Sequence, residues 1–210
     1  PAVSKQYDGN TSAALIAGNY ELSGVEEGDD LLVSSTAVYD NRHAGTGKLI
    51  TVNEFMLSGT DKNNYVLTTL SAATTGSIAA KALTVTLQET PAVTKQYDGN
   101  TDAVLVADNY KVEGVVGEDD VHLNYPAAGV YENKHGGEEK NVGVSGLEIS
   151  GEDAGDYTLE AATVSGNIGV ITKKIIEVTA IPQTKIYGGQ DPELTYTAEG
   201  KLPEDVLPGT

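Results

Sequence analysis

The 210-residue chain contains no cysteine and no tryptophan, and only one phenylalanine and one methionine. Without cysteine there are no disulfides, no thiolate metal ligands and no thiol nucleophile. Basic residues are also scarce. Thirteen Lys and Arg stand against 31 Asp and Glu, for a net charge of −18. Nucleic-acid backbones and anionic lipid surfaces are held by clustered Lys and Arg, so neither is an expected partner. No apolar stretch is long enough to span a bilayer and no signal peptide is visible, so this segment is not expected to insert into a membrane. No stretch of helical length carries sustained 3.6-residue periodicity with caps. The chain starts at Pro1 and stops in mid-pattern at Thr210, and is expected to be a piece of a longer protein.

What the chain does have is internal repetition. Pro1–Thr11 recurs as Pro91–Thr101 with ten of 11 positions identical. A looser third copy runs through Lys185, Ile186, Tyr187, Gly188 and Gly189, so that Tyr7, Tyr97 and Tyr187 are each 90 residues apart. The match continues through the unit: Asp29-Asp30 with Asp119-Asp120, Tyr39–His43 with Tyr131–His135, Leu57-Ser58-Gly59 with Ile149-Ser150-Gly151, and Tyr65 with Tyr157. Two residues are inserted before Tyr131 and two are lost after Tyr157, and both changes are expected in loops. The period divides the chain into a repeat over about 1–80 lacking its first strand, a complete repeat over 81–171, and the start of a third over 172–210. No Gly/Ser or Pro-rich spacer separates them, which favours a stiff junction.

Alternation at spacing two predicts strands at Tyr65–Thr69 and Tyr157–Ala161, at Leu31 and Val33, at Val121 and Leu123, and at Leu194–Ala198. Val104–Val106 reads as extended, although the equivalent Ala13–Ile16 alone would pass for a short helix. Apolar residues at Ile50 and Val52 and then at Phe55 and Leu57 slip phase by one, as do Val142 and Val144 followed by Leu147 and Ile149. A strand that slips yet stays buried needs a β-bulge or bend, expected at Asn53-Glu54 and Ser145-Gly146. Six or seven short strands per repeat are expected, forming a small β-sandwich or a sheet with at most one short helix.

The ordered set Lys-Gln-Tyr-Asp-Gly-Asn-Thr, Tyr-x-Asn-x-His-x-Gly, Leu-Ser-Gly-x-Asp and Asn-Tyr-x-Leu resembles the YDG repeat of filamentous-haemagglutinin-like and other large bacterial surface adhesins. The third copy, with Lys185–Gly188, Asp191-Pro192 and Leu194–Tyr196, is similar to the MBG repeat of the Tyr-Gly type. The resemblance implies a mainly β fold of tandem sandwich or β-grasp-like domains in an elongated rod. It also implies extracellular display and a stalk role in adhesion, with neighbouring repeats as partners. It carries no catalytic residues and no cofactor, so no enzyme activity is expected. The alternative is a module binding a host glycan or matrix protein through loops that differ between copies, Val25–Glu27 against Val115–Gly117 and Gly45–Gly47 against Gly137–Glu139.

The Tyr-Asp-Gly signature is read as a tight turn with a buried ring: Gly9 and Gly99 take positive φ after Asp8 and Asp98, and Tyr7, Tyr97 and Tyr187 pack inward. Lys5, Lys95 and Lys185, two residues earlier on the same strand face, are expected to lie beside the ring. A Lys–Asn cross-link of the kind surface adhesins make is the rarer fate. Asp29, Asp30, Asp119 and Asp120, with Asp61-Lys62-Asn63 and Asp153–Asp156, are weak calcium candidates, since none has EF-hand spacing. His43, His135 and His122 are assigned to packing or surface roles, because isolated histidines do not make a metal cluster.

Overall fold

The computed structural model describes residues 1–207; the last three, 208–210, at the end of the expected third repeat, lie outside the described residues. The chain is mainly β, with four single-turn 3-10 helices and no α-helix among the described residues. The first repeat supplies β1 (Val3–Gln6), β2 (Leu32–Tyr39), β3 (Gly45–Ser58) and β4 (Ser71–Ala79). The second supplies β5 (Lys81–Leu87), β6 (Val93–Gln96), β7 (Asp102–Val104), β8 (Tyr110–Glu113), β9 (His122–Asn124), β10 (Ala128–Tyr131), β11 (Gly137–Ser145), β12 (Glu148–Ser150), β13 (Tyr157–Leu159) and β14 (Thr163–Thr172). β15 (Glu177–Ala180) and β16 (Tyr196–Glu199) form an antiparallel pair in the third copy.

The first two copies build corresponding sheets. In the first the order is β1-β4-β3-β2, and in the second it is β6-β14-β11-β10-β7. The strand carrying the repeat's opening residues runs parallel to its neighbour in both, β1 along β4 and β6 along β14. The remaining pairs are antiparallel. The β7–β10 ladder is reduced in the first copy to a single bridge between Ser12 and Val38. Alternation sets the inward face: Val3 and Tyr7, Ala37 and Tyr39, and Lys48, Ile50 and Val52 are buried while their neighbours are not.

The phase slip has the expected cause. Between Ser34–Met56 and Thr36–Asn53 the register shifts, with two residues of β3 facing one of β2, and Glu54 adopts φ +56°. In the second copy the same place is Gly146, at φ +85°, where the amides of Gly146 and Leu147 both donate to the carbonyl of Ala162. The insertion also falls in a loop. The continuous β2 becomes β9 and β10 in the second copy, separated by residues 125–127.

Contacts divide the chain into two compact units. The first comprises Pro1–Val85, Val112–Asn124 and Glu148–Ala161; the second comprises Thr86–Lys111, Tyr125–Leu147 and Ala162–Thr210. The core of the first unit joins Val3, Tyr7, Tyr39, Ile50, Val52 and Ile78 to Leu83 and Tyr157, so residues of both repeats pack into one core. The second unit buries Val93, Leu105, Tyr131, Val142, Ile168 and Ile171.

Two expectations change, and one ambiguity is resolved. Strand count per repeat is not six or seven: the first copy has four and the second ten, many of only three or four residues. Tyr65–Thr69 is not a strand, whereas Tyr157–Leu159 is, because the latter pairs in parallel with β5 and no strand among the described residues pairs with the former. Ala13–Ile16 is not helical. Residues 13–16 are irregular and the single turn of 3-10 helix follows at Ala17–Asn19, where Asn19 Oδ1 accepts from the Ile16 amide.

Candidate functional site

The signature begins where β1 ends. The Tyr7 amide donates to the Ala79 carbonyl, extending the β1–β4 pairing by one residue before the chain turns at Asp8-Gly9. Gly9 sits at φ +79° and Gly99 at φ +87°, conformations that a Cβ disfavours. Asp8 Oδ1 accepts from the Asn10 amide and Asn10 Oδ1 from the Ser12 amide, so side chains replace the missing ladder bonds. Lys5 spends its three N–H groups on Asp8 Oδ1, the Asn10 carbonyl and Asn10 Oδ1 at 2.7–2.9 Å. Its ammonium lies 5.7 Å from the centre of the Tyr39 ring. Lys95 repeats the arrangement with Asp98, Asn100 and the Tyr131 ring at 5.5 Å. Both lysines therefore clamp the turn, and the ring each lies over is that of Tyr39 or Tyr131 rather than the signature tyrosine two residues on that the alternation predicts.

Tyr7 is 2% exposed, and its hydroxyl reaches a cluster in the same compact unit that combines both repeats. It donates to Asp119 Oδ2 at 2.7 Å, and Tyr157 donates to that same oxygen at 2.6 Å. The two rings meet edge to face with centres 5.3 Å apart. Arg42 Nη1 donates to Asp119 Oδ1 at 2.6 Å and to the Tyr7 oxygen at 2.7 Å, while Nη2 donates to Asp153 Oδ1 at 2.6 Å. Beside it, Asp156 accepts from the Ala44 amide at 2.6 Å and pairs with His43 Nδ1 at 2.8 Å. Backbone donors complete the lattice: the Val116 amide bonds the Tyr157 oxygen and the Asp120 amide bonds Asp153 Oδ2.

The electrostatics follow from this crowding. Burial by itself would raise the Asp119 carboxyl. Hydrogen bonds from Tyr157, Arg42 and Tyr7, with the charge on Arg42, overcome it and hold the pKa at about 2. Burial, and then the bond to Asp119, push Tyr157 up to about 12 and Tyr7 further still. The phenols stay protonated and the carboxylate stays ionised at neutral pH. Arg42 is held charged first by its hydrogen bond to Asp119. Every buried side-chain nitrogen and oxygen among the described residues has a partner. The arrangement fixes two segments against each other through charge-assisted bonds.

The second copy repeats the tie within the second unit. Tyr97 donates to Asp205 Oδ1 at 2.9 Å, and that bond, followed by burial, raises its pKa. Lys134, the counterpart of Arg42, is the positive group beside Tyr97.

The YDG domain family matches residues 1–75 and 79–165. The chain belongs to the YDG domain family. Neither the curated proteins nor the solved structures compared include a match.

With the YDG assignment in place, the remaining predicted residues can be located. Tyr187 is a correction: it is fully exposed rather than packed inward. Tyr7 is covered by a four-stranded sheet and by Tyr157, whereas the third copy offers only β15 and β16 among the described residues. Lys185 pairs with Asp191 at the surface. Of the acidic residues, Asp119 is taken by Arg42 and two tyrosines, and Asp29 by Tyr65. Asp30 accepts from the Thr60 amide, and Asp120 from the Glu152 amide and from His122. Asp61 and Asp153 cap the amides of Asp30 and Asp120. His43, Asp153 and Asp156 each bring a ligand atom within 4.8 Å of the others, but those atoms already serve Arg42, Ala44 and one another. His135 is exposed.

Sequence reasoning missed Arg42 and Lys48. A basic residue between the Asn and the His in both copies, Arg42 and Lys134, was the available signal for the first. Lys48 and Lys140 occupy inward positions of β3 and β11, side chains 8% and 6% exposed, and bond Asn41 and Asn133. An alternation count scores an inward lysine as a break in the pattern, although the Asn seven residues earlier supplies its partner.

Proposed function

We propose that the chain is a structural stalk module of a bacterial cell-surface adhesin, displayed outside the cell, without catalytic activity. It comprises tandem YDG repeats running into an MBG-type repeat, and it projects a binding domain carried elsewhere in the parent protein. One observation supports this reading above the others. The signature tyrosine of each of the first two repeats bonds the acidic turn of the next, Tyr7 to Asp119 and Tyr97 to Asp205. Residues that recur in every copy and are used to join copies are what a load-transmitting array requires. On this reading the repeats act on one another as successive small β domains in a stiff, elongated rod. The net charge of −18 keeps neighbouring stalks soluble and apart.

The differing loop at Val115–Gly117 fits the same reading. Val116 packs against the core, and its amide holds Tyr157. Small-angle scattering of the 210-residue chain is expected to give the distance distribution of a rod, and glycan and matrix-protein arrays to give no saturable binding. A compact isotropic envelope would overturn the stalk reading. Saturable attachment would replace it with a ligand-binding module.

A further inference from the structure

The two YDG copies differ in one place where their sequences agree. In the second, β5 lies in the order β13-β5-β8, between the strand that starts at Tyr157 and the strand that starts at Tyr110. Its Leu83 is fully buried, in register with Leu159, and the Leu83 carbonyl accepts from the Glu160 amide at 3.1 Å. In the first copy the equivalent segments, residues 20–23 and 65–69, are irregular and flank a groove of about 330 Å³ lined by Tyr20, Leu22, Val33, Phe55, Val66 and Leu67.

Four comparisons give the groove the shape of a strand site. A Cβ on Gly114 would meet the Ala82 carbonyl of β5 at 3.1 Å, while one on the equivalent Gly24 meets nothing within 4 Å. The Asn109 amide holds the carbonyls of Gln88 and Pro91, and that of Asn19 holds only the carbonyl of Pro1. Tyr157 is buried and Tyr65 only half-buried, although both hydroxyls bond the equivalent aspartates, Asp119 and Asp29. The flanks are clipped in the same way in both copies, Asp61 on the Asp30 amide at 2.9 Å and Asp153 on the Asp120 amide at 3.0 Å. The flanks of the groove are therefore tied by bonds that do not involve a strand lying in it.

We propose that this groove binds an extended strand of the β5 type, Lys-Ala-Leu-Thr-Val-Thr-Leu, running parallel to residues 65–67 with its leucine between Tyr20 and Leu67. The strand supplies main-chain hydrogen bonds to the 65–69 edge and one large apolar side chain to the groove. This goes beyond the stalk reading and is independent of it, since it rests on comparing two repeats of one chain.

The test fuses a second copy of residues 81–90 directly ahead of Pro1 of the full chain, reproducing the native Thr90-Pro91 junction. The fused strand is expected to protect the amides of residues 65–69 from hydrogen exchange and to raise Tm by about 5 °C. The same fusion with Asp at the Leu83-equivalent position should do neither. In trans, a peptide of residues 80–89 added to the unfused chain should shift the NMR signals of residues 20–23 and 65–69 saturably, and a scrambled peptide should not. Equal protection by the Asp variant, or equal binding of the scrambled peptide, would reduce the groove to a generic apolar patch and overturn the proposal. Concentration-dependent dimerisation that the fused strand does not suppress would assign the groove to a second copy and overturn it as well. A rod-like envelope without strand binding would leave the stalk reading standing alone.

Discussion

At the scale of single residues, Asp119 decides how the first unit is held. Its carboxylate receives Arg42, Tyr7 and Tyr157, and no other group among the described residues collects two phenols and a guanidinium. Its pKa of about 2 lies below the ordinary 3.8, so the folded state binds its proton less readily than the unfolded state. The stability this contributes is complete above the unfolded value and is lost as pH falls from about 4 through about 2. The Arg42 side chain is 34% exposed, so solvent screens part of the gain. We expect Asp119→Asn to lower unfolding stability at pH 7 by about 1–2 kcal/mol and by much less at pH 2. Urea unfolding at the two pH values checks this, and an equal loss at both would place the effect in packing.

At the scale of elements, local pattern and partner availability carry different parts of the outcome. The bulge was readable in the slip from Ile50 and Val52 to Phe55 and Leu57, because a period-two strand cannot keep both pairs inside without an extra residue. Gly146 meets the required positive φ of 85° with ample room, its nearest outside atom being Pro126 Cγ at 3.9 Å. Gly146→Ala is therefore expected to cost about 1 kcal/mol through backbone strain alone, read as a shift in the denaturation midpoint at unchanged m-value. Tyr65–Thr69 shows the opposite case. Its alternation is as clear as that of Tyr157–Leu159, but a strand is a relation between two segments, and only the second has β5 beside it. Pattern measured the capacity to pair and not the pairing.

At the scale of the whole molecule, acidity is the dominant property, with 31 carboxylates against 13 cations. The acidic turns that composition offers to calcium are closed by the chain itself: Asp30, Asp61, Asp120 and Asp153 bond backbone amides, and Asp29 and Asp119 bond tyrosines. A carboxylate already saturated by N–H and O–H donors has to break those bonds to ligate a cation. The melting transition is accordingly expected to be the same in EDTA and in millimolar calcium, by calorimetry at constant ionic strength. A rise of several degrees with calcium would show that the cation competes successfully for these side chains.

The sequence by itself determined the repeat, its 90-residue period, the β class, the Tyr-Asp-Gly turn and the place of the bulge. Each of these rests on contacts between near neighbours or on a periodicity that one strand carries alone. Only the tertiary structure decided where the tyrosine hydroxyls go, that Arg42 and Asp119 meet across 77 positions, and that Tyr187 stays exposed. It also decided that the first core is shared by two repeats. The physical reason is that an isolated Tyr, Arg or Asp has the same bonding capacity on a surface as in a junction. What distinguishes them is the partner that the fold brings within 3 Å, and no local pattern encodes it.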